Sequence, residues 1–312
     1  MWQRELMQRH ARERVGVGKT MIEQVIPRYE LRNRYRFTGR LVMQTALHIG
    51  GGKVTLSHSD SPIVLTPANI PFIPGSSFKG ALRSTVEKLV PSLPGEAGLF
   101  SCGLIELDEK AEAEEKKHGR KVCSTARQKA IVMERRGKPG QETEILKKAR
   151  ANLCNTCQLF GSPYGASHIN VNDLYMSKEE WSGIIQVRDG VAIDRDSERA
   201  KDRLKYDFEV VPASAVFELE ITLENATRQD LQILCVGLSD FVHGFGAIGG
   251  KRSRGLGACT LEKLEVEALE LTDVPEAERH QRLKNYLLKR EFSLVEKSGE
   301  VFLDRYISSI FS

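Results

Sequence analysis

The sequence predicts an α+β fold of ferredoxin-like or RNA-recognition type with long excursions, and three observations carry that prediction. Strand-like and helix-like periodicities follow one another in the order strand, capped helix, insertion, strands, helix, glycine loop, strand. The glycine-rich stretch HGFGAIGGKRSRGLG, residues 243–257, lies between a long apolar run and an alternating run. No repeat of solenoid period recurs along the 312 residues.

Residues 1–34 read as a basic, partly helical extension. Within it GVGKT, residues 16–20, imitates a phosphate loop, but the position that loop reserves for its first glycine is Glu13, which excludes a nucleotide site of that class. RYRFTGRLVMQTALHIGG then alternates as a strand, with Leu41, Met43, Thr45 and Leu47 on one side, and ends in the glycine turn 50–52. His48 ends that strand beside the glycine turn, a position where a polar residue is ordinary. A loop with Lys53, His58 and Asp60 follows.

IPFIPGSSFKGALRSTVEKLV predicts a turn at Pro74-Gly75, a cap from Ser76 or Ser77, and a helix striped by Ala81, Leu82, Thr85, Val86 and Leu89. Lys79 and Arg83, four apart near its start, would converge with exposed amides on an anion; two solvated cations on an ordinary helix are the bland alternative. Residues 101–157 are charged and poor in aliphatics until the chain returns through Cys154-x-x-Cys157, which reads as an insertion. IIQVRDGVAIDRDSERAKDRLKYDFEVV gives two strands joined by a charged segment, and VFELEITLEN a clear alternating strand. LQILCVGLSDFVHG is too long for a strand and reads as a buried helix. ACTLEKLEVEAL, with Leu264 and Val266 inward, reads as a strand, and residues 269–312 close as a charged helix and tail.

That order decides the glycine loop. Gly244-x-Gly246-x-x-Gly249 matches the dinucleotide fingerprint, which needs a strand before it and a helix after it. Here the order is reversed, so a dinucleotide site is excluded. Six glycines instead surround Lys251, Arg252 and Arg254. Net charge is only +4, yet residues 1–40 hold ten Arg or Lys against four Glu, and this loop adds three cations without an acid. Local basic surfaces on a nearly neutral chain suggest a polyanionic partner. No apolar run reaches a membrane span, no secretory leader is visible, and the cytoplasm is the default. Six cysteines in that compartment point to metal binding or burial rather than to a disulfide framework.

Three stretches taken together, LHIGGGKVTLSHSDSPIV, FIPGSSFKGALRSTVEKL and GAIGGKRSRGLGAC, resemble the RAMP superfamily of CRISPR proteins, and most closely the repeated backbone subunit of type III effector complexes, the Cas-seven group. CNTCQLFGS and DGVAIDRDSERAKDRLKYDFEVVP are similar to further segments of it, so the resemblance covers residues 35–268. It implies a modified ferredoxin-like/RNA-recognition fold with a zinc-knuckle insertion at 101–157 and a thumb-like hairpin at 186–210. The partners implied are a CRISPR guide RNA, a complementary target RNA, copies of the chain or related subunits, and other effector subunits; no membrane is implied.

In that setting the glycines would let backbone approach a phosphate chain while Lys251, Arg252 and Arg254 supply charge. Lys53, Lys79, Arg83 and, from the thumb-like segment, Arg188, Arg195 and Lys205 join His48 as RNA-binding candidates. The family's target-RNA cleavage depends on an acidic residue in the loop after the first strand, and the motif places it on Asp60. A carboxylate there can hold a divalent ion such as Mg, or a water, near the scissile phosphate, with a 2′-hydroxyl as internal nucleophile. An Asx turn before Ser61-Pro62 is the structural alternative for Asp60. Cys154 and Cys157 form half a structural zinc site, with Cys102, His118 and Cys123 as candidate partners. Spacing leaves Cys102 and His118 open, and the set adopted is Cys102, Cys123, Cys154 and Cys157. Cys235 and Cys259 read as core. The same fold also serves as a non-catalytic RNA-binding scaffold, and a repeat-processing endoribonuclease of the superfamily, which usually works through a metal-independent His/Tyr/Lys site, is the third reading.

Overall fold

The structure, a computed structural model, describes residues 30–51, 59–103, 108–117, 123, 128–130, 133, 148, 153–163, 165–177, 179–193 and 200–312, without the side chains of residues 109, 112, 115, 116 and 191–205. Lys53, His58, His118, Arg195 and residues 1–29 lie outside the described residues, as does the side chain of Lys205.

At the centre lies strand β1 (Asn33–Met43). Its odd-numbered residues Tyr35, Phe37, Leu41 and Met43 are buried, the period of two expected for a strand with one covered face. The strands that follow are β2 (Phe72–Ile73), β3 (Ile169–Val171), β4 (Leu174–Tyr175), β5 (Gln186–Ile193), β6 (Ala200–Val210), β7 (Val216–Glu224), β8 (Gly246–Ala247), β9 (Ala258–Glu270) and β10 (Leu294–Glu296). The main sheet runs β10-β9-β1-β7-β3 with β8 on β9; β2 pairs β4, and β5 pairs β6 as a separate antiparallel hairpin. Phe37 stands opposite both Ile221 and Val266, so the middle strand puts an aromatic ring between two β-branched side chains.

The helices are α1 (Gly75–Leu89), α2 (Glu109–Lys117), α3 (Asn155–Phe160), α4 (Arg228–Val242), α5 (Glu276–Lys289) and α6 (Gly299–Phe311). α4 is the buried helix the apolar run predicts, and a capping box between Thr227 and Asp230 starts it. α1 and α6 both pack on α4. Phe78 of α1 lies 5.1 Å from Phe241 of α4, while Phe302 of α6 meets Phe37 edge-on at 5.6 Å. The largest of the buried clusters among the described residues thus joins sheet and helices.

Four sequence expectations are corrected. β1 ends at Met43 rather than at residue 50: Gln44 and Thr45 donate to Ala258 O, and Leu47 bridges Val211, so the chain leaves the sheet to run beside the end of β6. Neither Ser76 nor Ser77 caps α1. Asp173 does so from another segment, accepting from Gly75 N at 2.8 Å, and a Cβ at Gly75 would sit 2.3 Å from Val171 O. The C-terminal region is more than a charged helix and tail, since β10 extends the sheet and α6 buries Phe302, Leu303 and Ile310. Last, the basic surface expected before residue 40 is partly neutralised. Arg34, Arg36 and Arg40 share the polar face of β1 and pair with Glu224, Glu267 and Glu218 of its neighbours, in the register that puts each Glu directly across or nearly so. Among the described residues no helix is long and apolar enough to cross a membrane.

Candidate nucleic-acid interface and metal centre

The glycine loop folds back on protein before it meets anything else. Gly249, at φ +83°, would carry its Cβ 2.4 Å from His48 O, and Gly257, at φ +82°, 1.9 Å from Ile248 O. No L side chain fits there. Gly250 N donates to His48 O and Gly257 N to Ala46 O, which straps the loop onto the segment after β1. Close approach by the chain's own carbonyls therefore accounts for these glycines, a correction to the expectation that they make room for a phosphate chain.

The strapped loop presents its cations at the end of the β5–β6 hairpin. Lys251 Nζ lies 4.4 Å from the ring centre of Phe208 and 4.9 Å from that of Tyr206. Arg254 lies over Tyr206 at 5.9 Å and donates to its hydroxyl. Such cation–π contacts orient the charges without neutralising them. Arg252 and Arg254 are exposed, and so is Arg188 on β5, opposite Phe208 in the hairpin register. Phe245, 80% exposed on the same loop, adds an aromatic face that sequence reading overlooked.

His48 is not part of this surface. It is 6% exposed, its Nδ1 lies 2.7 Å from Glu209 O, its Nε2 lies 3.3 Å from Ser61 Oγ, and its ring meets Phe208 edge-on. It does not end β1 and is instead a buried pin between β6 and the loop that carries Asp60.

Asp60 itself is exposed. Its N–H donates to Asp207 Oδ1 at 2.6 Å, and its Oδ2 accepts from Asp207 N–H at 3.1 Å. The carboxylate thus engages another strand rather than closing an Asx turn. Around it, Ser59 Oγ and Ile63 N donate to the two oxygens of Glu209, and Glu209 N donates to Ser61 O. The sequence signal for these partners was present in Tyr206-Asp207-Phe208-Glu209, where aromatic and acidic residues alternate with the period of a strand.

Lys79 and Arg83 both meet protein, each on its own set of groups. Lys79 Nζ donates to Ser167 Oγ and Ile169 O; Arg83 bonds Glu87, Gly161 O and Cys157 Sγ, the last at 3.4 Å. Burial opposes the Arg83 charge, and Glu87 and Cys157 outweigh it, so the guanidinium pKa is raised. The partners these two cations have in this structure are protein groups, and Arg83 is the one that reaches a cysteine.

The sulfur that Arg83 meets belongs to a group of four cysteines. The Sγ atoms of Cys102, Cys123, Cys154 and Cys157 all lie within 4.8 Å of one another, and none forms a disulfide. Cys102 is the fourth member, and His118 lies outside the described residues. Cys154 caps α3 and accepts from Cys157 N, while Cys123 Sγ accepts from Cys154 N at 3.0 Å. Contact with Cys102, then Cys154 and Cys157, together with burial, pushes the Cys123 thiol far up, because neighbouring thiolates would repel. A cation among them reverses that preference, and the four could hold a metal ion. Four thiolates around tetrahedral zinc would stand about 3.8 Å apart at a Zn–S distance of about 2.3 Å, and the observed Cys102–Cys157 separation is 3.6 Å. Cys235 and Cys259 are fully buried in the core, as expected, and burial raises the Cys259 pKa to about 12.

Comparison with known proteins falls on these same residues. A family model described as the RAMP superfamily matches residues 40–260, which include the Asp60 loop, the cysteine group and the glycine loop. Three curated relatives are each named "CRISPR system Cms endoribonuclease Csm3". The one from Enterococcus italicus is 42% identical over 67 residues, 20% of this chain and 31% of the relative. That from Methanothermobacter thermautotrophicus is 38% identical over 76 residues, 23% of this chain and 31% of the relative. The one from Streptococcus thermophilus is 23% identical over 253 residues, 74% of this chain and 89% of the relative. The matched region thus spans under a third of the first two relatives and most of the third.

Proposed function

The chain belongs to the RAMP superfamily, and from that premise we propose that it is a guide-RNA-binding backbone subunit of a type III CRISPR effector complex that cleaves complementary target RNA through Asp60. The observation that carries this reading is the juxtaposition of an exposed carboxylate and a cationic loop at the two sides of one strand, β6. A surface of this kind reads phosphate and leaves sequence to a guide. Lys251, Arg252, Arg254 and Arg188 hold the RNA backbone, joined by Lys53, Arg195 and Lys205, and Phe245 offers a ring on which a base can stack. The relatives' printed names, endoribonucleases of a CRISPR system, support the activity.

In this reading the hairpin β5–β6 is the thumb of a modified ferredoxin-like/RNA-recognition fold, and copies of the chain or related subunits stack along the guide in the cytoplasm. Asp60 orients the target's 2′-hydroxyl for in-line attack on the adjacent phosphate, whose bond to the 5′-oxygen breaks to leave a 2′,3′-cyclic phosphate and a protonated 5′-hydroxyl, and the loop cations hold the strand in register. A divalent ion such as Mg, when bound, supplies charge neutralisation at that phosphate; one carboxylate oxygen at Asp60 with no protein partner among the described residues fits a cation bound mostly through water and phosphate. Cys102, Cys123, Cys154 and Cys157 hold a structural zinc, for which four thiols of suitable spacing, with N–H donors and Arg83 around them, are the fitting donor set.

Reconstitution with a guide RNA and a labelled complementary RNA tests the proposal. Wild-type assemblies should cleave only with a divalent ion and fail on a target with a 2′-deoxy nucleotide at the scissile position, while Asp60→Ala should bind target and leave it intact. Equal cleavage by both would reject Asp60, and target binding without cleavage by the wild type would make the chain a scaffold.

A further inference from the structure

The last residues of β6 serve two loops at once. Successive side chains of a strand point to opposite faces, and here Tyr206 and Phe208 lie under Lys251 while Asp207 and Glu209 bond the loop of residues 59–63. The strand's position is itself defined. Gly190 stands opposite Tyr206 in the hairpin, and a Cβ there would come within 2.3 Å of the Tyr206 ring. The ring therefore lies flush across β5, and a larger residue at position 190 would lift it.

We infer that Asp207 is a positioning residue for target cleavage: it fixes the Asp60 carboxylate at a set distance from the cations of the glycine loop. The inference rests on the reading that Asp60 acts on RNA. Its physical basis is a closed ring of two hydrogen bonds, Asp60 N–H to Asp207 Oδ1 at 2.6 Å and Asp207 N–H to Asp60 Oδ2 at 3.1 Å. One bond holds the backbone of residue 60, and the other holds one oxygen of its carboxylate. With both in place the remaining oxygen of Asp60 has a defined direction, and the carboxylate is referenced to the strand that carries Tyr206 and Phe208. Two carboxylates this close repel, and each is compensated by the other residue's amide.

Glu209 holds the same loop independently through Ser59 and Ile63. Loss of the Asp207 side chain removes its bond to the Asp60 N–H, leaves the Asp207 N–H bond to Asp60 Oδ2, and should shift residue 60 without releasing the loop. A misplacement of about 1 Å at a reacting group can cost about 100-fold in rate, and phosphate contacts made elsewhere would be untouched.

The test compares Asp207→Ala with Asp207→Asn in the guide-loaded assembly. Asparagine keeps an acceptor oxygen for the Asp60 amide and removes the charge. Single-turnover cleavage at saturating target should fall about 10- to 100-fold in Asp207→Ala, with target affinity within about twofold of wild type, and return to within about threefold of wild type in Asp207→Asn. Hydrogen exchange over residues 59–63 should quicken in Asp207→Ala and recover in Asp207→Asn, a readout independent of chemistry. Wild-type cleavage by Asp207→Ala would overturn the inference, as would Asp207→Asn no faster than Asp207→Ala, which would assign the effect to charge. Asp60→Ala run alongside separates the two claims. If it cleaves normally, the reading of Asp60 fails, and the exchange data alone then decide whether Asp207 fixes residue 60. Unchanged exchange in Asp207→Ala would overturn that too.

Discussion

Two pairs of cations, Lys79 with Arg83 on α1 and Lys251 with Arg254 in the glycine loop, look alike in the sequence and do opposite things in the fold. The α1 pair is consumed inside: its donors meet Ser167, two backbone carbonyls, Glu87 and a cysteine sulfur. The loop pair rests on the faces of Tyr206 and Phe208. A carbonyl or thiol uses up a donor, whereas a ring face holds a cation and leaves its charge available to a second partner. Neighbours, not spacing along the chain, decide which of two similar cations keeps its charge available to a second partner.

The largest expected effect lies on the α1 side, beneath Arg83. Freshly purified protein should carry near one equivalent of zinc, and Cys154→Ser combined with Cys157→Ser should release it and loosen residues 101–157. Structural zinc is worth about 10 kcal/mol or more to the segment that binds it. Metal analysis finding no zinc in untreated wild-type protein would reject the structural zinc.

Arg83→Met comes next. Removing a half-buried guanidinium that serves Glu87, Gly161 and Cys157 should cost about 3 kcal/mol in stability by leaving those acceptors unpaired. Affinity of the folded variant for RNA should not change. A variant of full stability but weaker RNA binding would erase the contrast drawn between the two pairs.

A smaller effect on stability, with a larger one on binding, is expected from Lys251, Arg252 and Arg254 changed together to Ala. Thermal stability should shift by under about 1 kcal/mol, as for exposed charges. RNA affinity should fall, and the dependence of log affinity on log salt should become shallower by up to about two units, at about 0.7 for each single-strand phosphate that the variant leaves unneutralised. An unchanged slope, measured by titration at several salt concentrations, would mean the loop does not touch RNA.

Arg188→Ala should give the smallest change. It removes one exposed cation from β5 and should cost the salt slope about 0.7 unit at most, with cleavage chemistry unaffected once RNA is saturating. A loss of cleavage at saturation would instead tie the hairpin to the geometry around Asp60.

Much of this architecture was legible from periodicity and order alone. The alternation in RYRFTGRLVM and VFELEITLEN, the apolar run before the glycine loop and the alternating run after it correspond to β1, β7, α4 and β9, because each burial pattern repeats with the period of the element that produces it. The reversed helix-then-strand order around Gly244 was enough to dismiss a dinucleotide site. Cys154-x-x-Cys157 announced its pairing, since three residues' separation on a helical turn sets two thiols on one side. Beyond the cysteine set that the family resemblance suggested, local sequence could not supply the relations between residues far apart in the chain. That Cys102 and Cys123 reach the same point, that Asp173 caps α1, that His48 faces inward, and that Asp207 meets Asp60 across 147 positions were decided by how β6, α3 and the loops pack against the sheet. A side chain's local period records which face it occupies; the partner on that face is chosen by tertiary packing, which no single stretch of sequence encodes.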